Sequence, residues 1–101
     1  MYRIVWEYDV RPNEVDQFEQ VYGADGIWAK FFRNSDEYVS TELYRALGGA
    51  HRYITVDQWR SRSAYEAFRK TYADEYAQID EWCNRLIDHE RTLGVSDDGK
   101  D

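Results

Sequence analysis

One cysteine, one proline and six glycines are all that 101 residues hold of the types that staple or interrupt a chain. With Cys83 alone no disulfide within the chain is possible, and a small disulfide scaffold is excluded. The single Pro12 leaves long stretches free to form helix or strand. No apolar run approaches the roughly 20 residues that span a bilayer, and Met1-Tyr2-Arg3-Ile4 lacks a signal-peptide core. A cytoplasmic location is therefore expected. Positive charge is also scarce: 13 Lys and Arg stand against 20 Asp and Glu, a net charge of −7. A phosphate backbone or an anionic membrane surface would be repelled, so neither nucleic acid nor membrane is expected as a partner. His51 and His89 lie far apart with only Cys83 between them, and no zinc spacing results. Gly23 and the Gly48-Gly49 pair read as cap and turn glycines, not as a phosphate loop. A Ser-His-Asp signature is likewise missing.

Large rings are abundant. Nine Tyr and four Trp contribute to an aromatic share of 17%, too high for a disordered chain. They are also more than a small monomer hides easily, so some should line a cavity or a subunit interface. The length fits one domain, placed at residues 1–95, with an acidic, disordered tail at 96–101.

The organising stretch is Tyr53 to Phe68. Tyr53-Ile54-Thr55-Val56-Asp57-Gln58-Trp59 is β-branched and aromatic, hence strand. Ser61 and Ser63 are both N-cap candidates, and Ser63 with Glu66 forms a capping box. Tyr65, Phe68 and Tyr72 then repeat at helical spacing. Ahead of it, Tyr2 to Val10 alternates Tyr2, Ile4, Trp6, Tyr8 and Val10 with Arg3, Val5, Glu7 and Asp9: a strand with one wholly apolar face. Asn13 is expected to cap a helix carrying Val15, Phe18 and Tyr22, and Gly23 to stop it. Ile27, Trp28, Phe31 and Phe32 exceed one stripe, so a short second helix should be buried on two sides. Tyr38 to Leu47 reads as the second strand, with Val39, Thr41, Leu43, Ala46 and Leu47 mostly inward, and Gly48-Gly49 as the turn into the third. Helical spacing continues through Tyr76, Ile79, Cys83 and Leu86, with a joint near Ala73-Asp74-Glu75; Ile87 to Val95 alternates as a last strand.

This order is the ferredoxin-like βαββαβ pattern of an α+β protein: a four-stranded antiparallel sheet with helices on one face. The other face, also partly apolar, needs a cover, and a second copy is the expected supplier, making a homodimer.

Among residues able to do chemistry, Glu7 and Asp57 stand on otherwise apolar strands. A carboxylate buried there either meets an arginine, with Arg3, Arg45 and Arg52 available, or has a raised pKa and can serve as a base. His89, on the last strand in the set with Ile87, Arg91 and Leu93, has an ordinary pKa suited to acid–base work. His51, beside the glycine turn, reads as a solvated loop residue.

Trp6-Glu7-Tyr8-Asp9-Val10-Arg11-Pro12, Tyr22-Gly23-Ala24-Asp25-Gly26-Ile27-Trp28 and the run from Tyr53 through Trp59 into Ala64-Tyr65-Glu66-Ala67-Phe68 together resemble the antibiotic biosynthesis monooxygenase-like domains of the dimeric α+β barrel superfamily. The resemblance implies two sheets, one from each subunit, packed face to face, with a cavity between each sheet and its own helices. It implies cofactor-free oxidation of phenolic polyketides to quinones, or haem degradation in a second branch. Trp59 and Tyr65 match a Trp and Tyr of some quinone-forming members, whereas Thr55 stands where those members place an Asn that orients the phenolate. Haem is not expected, since no helical His follows Trp59 near Arg69. Two readings result. The first is a cofactor-independent monooxygenase acting on a small aromatic or polycyclic substrate. Tyr65, His89 and Glu7 would be its catalytic groups, and Trp59, Asp57, Trp28 and Phe32 its pocket. The second is a dimer of the same fold that binds or supports without turnover; a cavity below roughly 300 Å³ would favour it.

Overall fold

The computed structural model describes residues 1–48 and 51–97. Over them the chain forms β1 (Tyr2–Val10), a 3-10 turn (Pro12–Glu14), α1 (Val15–Tyr22), α2 (Ile27–Phe32), β2 (Tyr38–Arg45), β3 (Arg52–Trp59), α3 (Arg62–Thr71), α4 (Ala73–Cys83), a 3-10 turn (Asn84–Leu86) and β4 (Ile87–Asp97). The strands make one antiparallel sheet in the order β2-β3-β1-β4. This is the α+β ferredoxin-like arrangement. β3 and β1 are the two central strands, and the inner face of β1 buries Tyr2, Ile4, Tyr8 and Val10 and half-buries Trp6.

The core between sheet and helices is a network of rings. Phe18, fully buried on α1, stacks on Tyr22 at 4.2 Å and meets Tyr8 and Tyr53 at 5.3 and 5.0 Å. Trp59 closes the other end against Phe32, Tyr38 and Phe68. α2 is wedged between these layers: Phe32 faces the sheet rings, and Phe31 meets Phe68 and Tyr72 of the helical layer. Ring pairs at such distances contribute beyond the area they bury. The sharp entry to α2 needs Gly26, where a Cβ would lie 2.3 Å from the Val21 carbonyl oxygen.

Several local expectations are corrected. Asn13 does not cap α1; Pro12 fixes a 3-10 turn over Pro12–Glu14, and the helix starts one turn later. Ser61, not Ser63, caps α3, its Oγ accepting from Ala64 N at 3.1 Å. The joint before α4 is Tyr72, whose backbone leaves helical geometry. β2 ends at Arg45, and Leu47 is fully exposed. A register shift between Tyr38 and Ser40 turns both Tyr38 and Thr41 inward and leaves Val39 exposed. His51 is not simply solvated: it holds φ 62°, its carbonyl accepts from Val10 N at 2.8 Å, and its Nδ1 is buried without a partner. Gly48 has φ +75°, while Gly49 lies outside the described residues. β4 runs two residues further than expected and takes in Ser96 and Asp97; the remaining tail, 98–101, lies outside the described residues. Among the described residues no helix is long and apolar enough to cross a membrane.

Two register shifts along β1–β4, between Asp9 and Val10 and between Val5 and Trp6, reset which β4 residues face the helices. Glu90 pairs with Tyr8 and shares its inner face; His89 and Arg91 pair with Asp9 and Glu7 on the outer face. That outer face centres on half-buried Val5, Ile54 and Val56.

Candidate functional site

A cavity of about 190 Å³ lies between the inner sheet face and the helices. Its aromatic walls are Trp6 and Tyr8 of β1, Tyr22 of α1, Trp28 and Phe32 of α2 and Tyr76 of α4. Strand pleating delivers the polar groups. Thr55 and Asp57 stand two residues apart on β3, both pointing inward, and the β2 register shift brings Thr41 opposite Asp57. Arg69, Asp80 and Glu90 complete the wall from α3, α4 and β4.

Asp57 is the chemical centre. It is 8% exposed, and its Oδ1 accepts from Thr41 Oγ1 at 2.7 Å, which in turn accepts from Tyr38 Oη at 2.7 Å. Burial drives its carboxyl from 3.8 up to about 6, against the opposing pull of the Thr41 hydrogen bond. Burial first, and the nearby Asp57 charge second, push the Tyr8 hydroxyl well above the usual tyrosine range. Burial and the neighbouring Asp80 charge raise Glu90. Thr55 Oγ1 and Trp28 Nε1 are buried, and their polar neighbours are the Tyr8 hydroxyl for Thr55 and the Tyr22 hydroxyl and Cys83 thiol for Trp28. Arg69 is held in place: its Nη1 donates to Tyr65 Oη at 2.9 Å, and its guanidinium lies 3.7 Å from the Tyr76 ring centre.

The expected site residues divide. Asp57, Trp28 and Phe32 lie in the cavity wall. Trp59 is fully buried in the ring core, outside that wall. Tyr65 packs on Trp59 and Tyr2 and reaches the cavity only through Arg69. Glu7 and His89 sit on the opposite face of the sheet, beside a separate shallow hollow; there Glu7 pairs with Arg91 rather than with Arg3, Arg45 or Arg52. Arg52 pairs with Asp9 instead. Asp57 has no arginine partner among the described residues. Sequence reasoning missed Glu90, because simple alternation from Ile87 assigns it to the wrong face. It also missed Asp80 and Arg69, which look like ordinary solvated helix charges. No signal in the sequence marked them. Among the described residues no three His, Cys, Asp or Glu side chains converge as a metal site.

The family's sequence pattern, described as antibiotic biosynthesis monooxygenase, matches residues 1–82. The chain belongs to the antibiotic biosynthesis monooxygenase family. Solved structures agree on the fold. A protein from Deinococcus radiodurans named for the same family superposes with a TM-score of 0.75 at 12% identity, covering 100% of this chain and 95% of that one. SnoaB from Streptomyces nogalater, a cofactor-independent oxygenase, gives 0.70 at 16% identity, covering 99% and 94%. A conserved protein from Methanosarcina mazei gives 0.65 at 13%, covering 94% and 87%. No curated protein sequence matches the chain. The cavity of this chain carries a carboxylate at Asp57 and a threonine at Thr55.

Proposed function

We propose that the protein is a cofactor-independent monooxygenase acting on a phenol of a single ring, with Asp57 as its base. The observation that carries this is a buried carboxylate, titrating near 6, set in a cavity walled by rings. The fold shared with a cofactor-independent oxygenase supports it. Volume limits the substrate: about 190 Å³ is close to the roughly 150 Å³ that holds benzene, and too small for a polycyclic skeleton.

In this reading Asp57 takes the phenolic proton and Thr41 steadies the carboxylate. A phenol near 10 and a carboxylate near 6 make that transfer uphill by about 5 kcal/mol. A positive charge beside the developing phenolate offsets the cost, and Arg69 is the cation of the wall among the described residues. The phenolate then gives one electron to dioxygen, the two radicals join at the ring carbon para to oxygen as a peroxide anion, and Asp57 returns its proton to make the hydroperoxide. Loss of water leaves the quinone, so one phenol and one O₂ yield one quinone and one H₂O. Tyr65 acts here as a positioning residue for Arg69. Glu7 and His89 have no part at this cavity.

The reading includes a homodimer formed through the outer sheet face, where Val5, Ile54 and Val56 offer the apolar centre. The cavity volume, below the range of ordinary ligand pockets, favours a second reading in which a small ligand binds without turnover. Oxygen uptake and quinone absorbance with a single-ring phenol whose para carbon bears hydrogen separate the two. Wild type should consume oxygen above the uncatalysed background, and Asp57→Asn should lose 100-fold or more. Equal rates in both proteins would remove Asp57 as base; binding without uptake would establish the second reading.

A further inference from the structure

We infer that Tyr38 is a positioning residue for Asp57: acting through Thr41, it keeps Oδ1 as an acceptor, so that a proton taken up by Asp57 sits on Oδ2, the oxygen left for the cavity. This rests on the reading of Asp57 as base and adds where the base holds its proton. The arrangement begins in the strand. On a regular pleat residues three apart point to opposite faces, so Tyr38 and Thr41 would not meet. The register shift between Tyr38 and Ser40 turns both inward. Tyr38 Oη then donates to Thr41 Oγ1 at 2.7 Å, and Thr41 Oγ1 donates to Asp57 Oδ1 at 2.7 Å. All three side chains are buried, and Asp57 forms part of the cavity wall. The chain of bonds has one sense. An ionised carboxylate only accepts, so Thr41 gives its single hydrogen to Oδ1 and receives from Tyr38 on a lone pair. For a proton to settle on Oδ1, Thr41 would have to turn its hydrogen away, toward a Tyr38 hydroxyl whose own hydrogen points back at it. Oδ2 carries no such conflict. The Tyr38 ring is wedged between Phe32 and Trp59, at 5.5 and 5.4 Å, which fixes where its hydroxyl lies. Trp59, outside the cavity wall, thus reaches the site as a brace. Burial raises the Tyr38 hydroxyl above the usual tyrosine range, against the pull of the Thr41 hydrogen bond, so it stays a neutral donor while Asp57 titrates. Donation into Thr41 also polarises the Thr41 hydroxyl and strengthens its bond to the carboxylate.

Tyr38→Phe keeps the ring and removes the hydroxyl alone. The first readout is the titration midpoint of the Asp57 carboxyl, followed by NMR of protein labelled with 13C-aspartate, the signal being the one that Asp57→Asn lacks. Thr41→Val should raise the midpoint by about 1 pH unit or more, and Tyr38→Phe by about 0.3. Because Tyr38 acts through Thr41, adding Tyr38→Phe to Thr41→Val should move the midpoint no further. Tyr8, Tyr22, Arg69, Tyr76, Asp80 and Glu90, the ionisable groups that share the cavity with Asp57, are the same in all these proteins, so the differences isolate the chain of bonds. The second readout is the infrared carbonyl band of protonated Asp57, taken as the difference from Asp57→Asn at about pH 4.5. With the proton on Oδ2 the carbonyl is Oδ1, which accepts from Thr41, so the band should rise in Thr41→Val and part of the way in Tyr38→Phe. With a single-ring phenol whose para carbon bears hydrogen, Tyr38→Phe should lower kcat about threefold and leave KM within about twofold. A merely structural Tyr38 would lower stability in urea and leave midpoint and band in place. An unmoved midpoint in Tyr38→Phe, the same rise with and without Thr41, or a carbonyl band that Thr41→Val does not move would overturn the inference. The oxygenase reading fails separately. A wild type that takes up no oxygen removes the oxygenase, while midpoint and band still decide whether Tyr38 acts on Asp57. Uptake that Asp57→Asn abolishes, with midpoint and band unmoved in Tyr38→Phe, keeps the oxygenase and removes Tyr38.

Discussion

Replacing Asp57 by asparagine exposes how much the fold gives up to keep a charge in its cavity. The carboxyl titrates near 6 in the fold against an ordinary 3.8. That gap, at about 1.4 kcal/mol per pH unit, means that ionised Asp57 destabilises the folded chain by about 3 kcal/mol above pH 6. The sign follows from proton binding. Between 3.8 and 6 the folded chain holds a proton that the unfolded chain has lost, so this penalty is full above the folded value and fades as pH falls toward 3.8. Asparagine accepts from Thr41 as the neutral acid does, and the gap between 3.8 and about 6 already includes the stronger bond to the carboxylate. Asp57→Asn should therefore be more stable than wild type by about 3 kcal/mol at pH 7.5, and most of that advantage should be gone near pH 4. Urea unfolding of both proteins by tryptophan fluorescence, at one protein concentration and at both pH values, measures it. Taking the difference between the two proteins cancels every other titrating group. A variant less stable than wild type at pH 7.5, or a difference that does not change with pH, would refute the reasoning.

Other outcomes follow from the same geometry. Thr41→Val removes the group that joins Tyr38 to Asp57, so the midpoint of the stability difference should move above pH 6; the loss of both hydrogen bonds should cost about 1–3 kcal/mol by urea unfolding at pH 7.5. If Asp57 is the base, oxygen uptake should rise with pH through about 6 and then level, whereas a flat profile from pH 5 to 8 would exclude that role. Gly26→Ala forces a Cβ against the Val21 and Gln20 carbonyl oxygens and should lose about 2–3 kcal/mol in the same unfolding assay. Sedimentation at micromolar concentration should give a mass near twice 12.1 kDa, and one near a single chain would count against the outer-face dimer.

The strands and helices were legible because their patterns are strong. Alternation in Tyr2 to Val10 left one face wholly apolar, the run at Tyr53 to Trp59 set Thr55 and Asp57 between two rings on one face, and burial largely followed the alternation in both. Where the pattern misled, backbone irregularity was the cause. A register shift near Tyr38 turned Thr41 toward Asp57, and another near Asp9 carried Glu90 inward and His89 outward. Period-two counting assumes a regular pleat, and each shift inverts every assignment beyond it. Trp59 and Tyr65 were conspicuous as large rings near a strand end, yet their bulk is what drew them into the core, with Trp59 packed against Phe32 and Phe68.

Composition and periodicity by themselves determined the element order and the ring-rich interior, since local spacing and transfer energies act along the chain; whether Asp57 met an arginine or stood buried with a raised pKa was left to the fold. Tertiary structure alone decided which charges share a cavity. Asp57, Arg69, Asp80 and Glu90 come from four different elements, and their grouping depends on strand register and helix placement. Electrostatic interaction depends on distance through space and on how much water is displaced between the groups, and neither quantity is written in the order of residues.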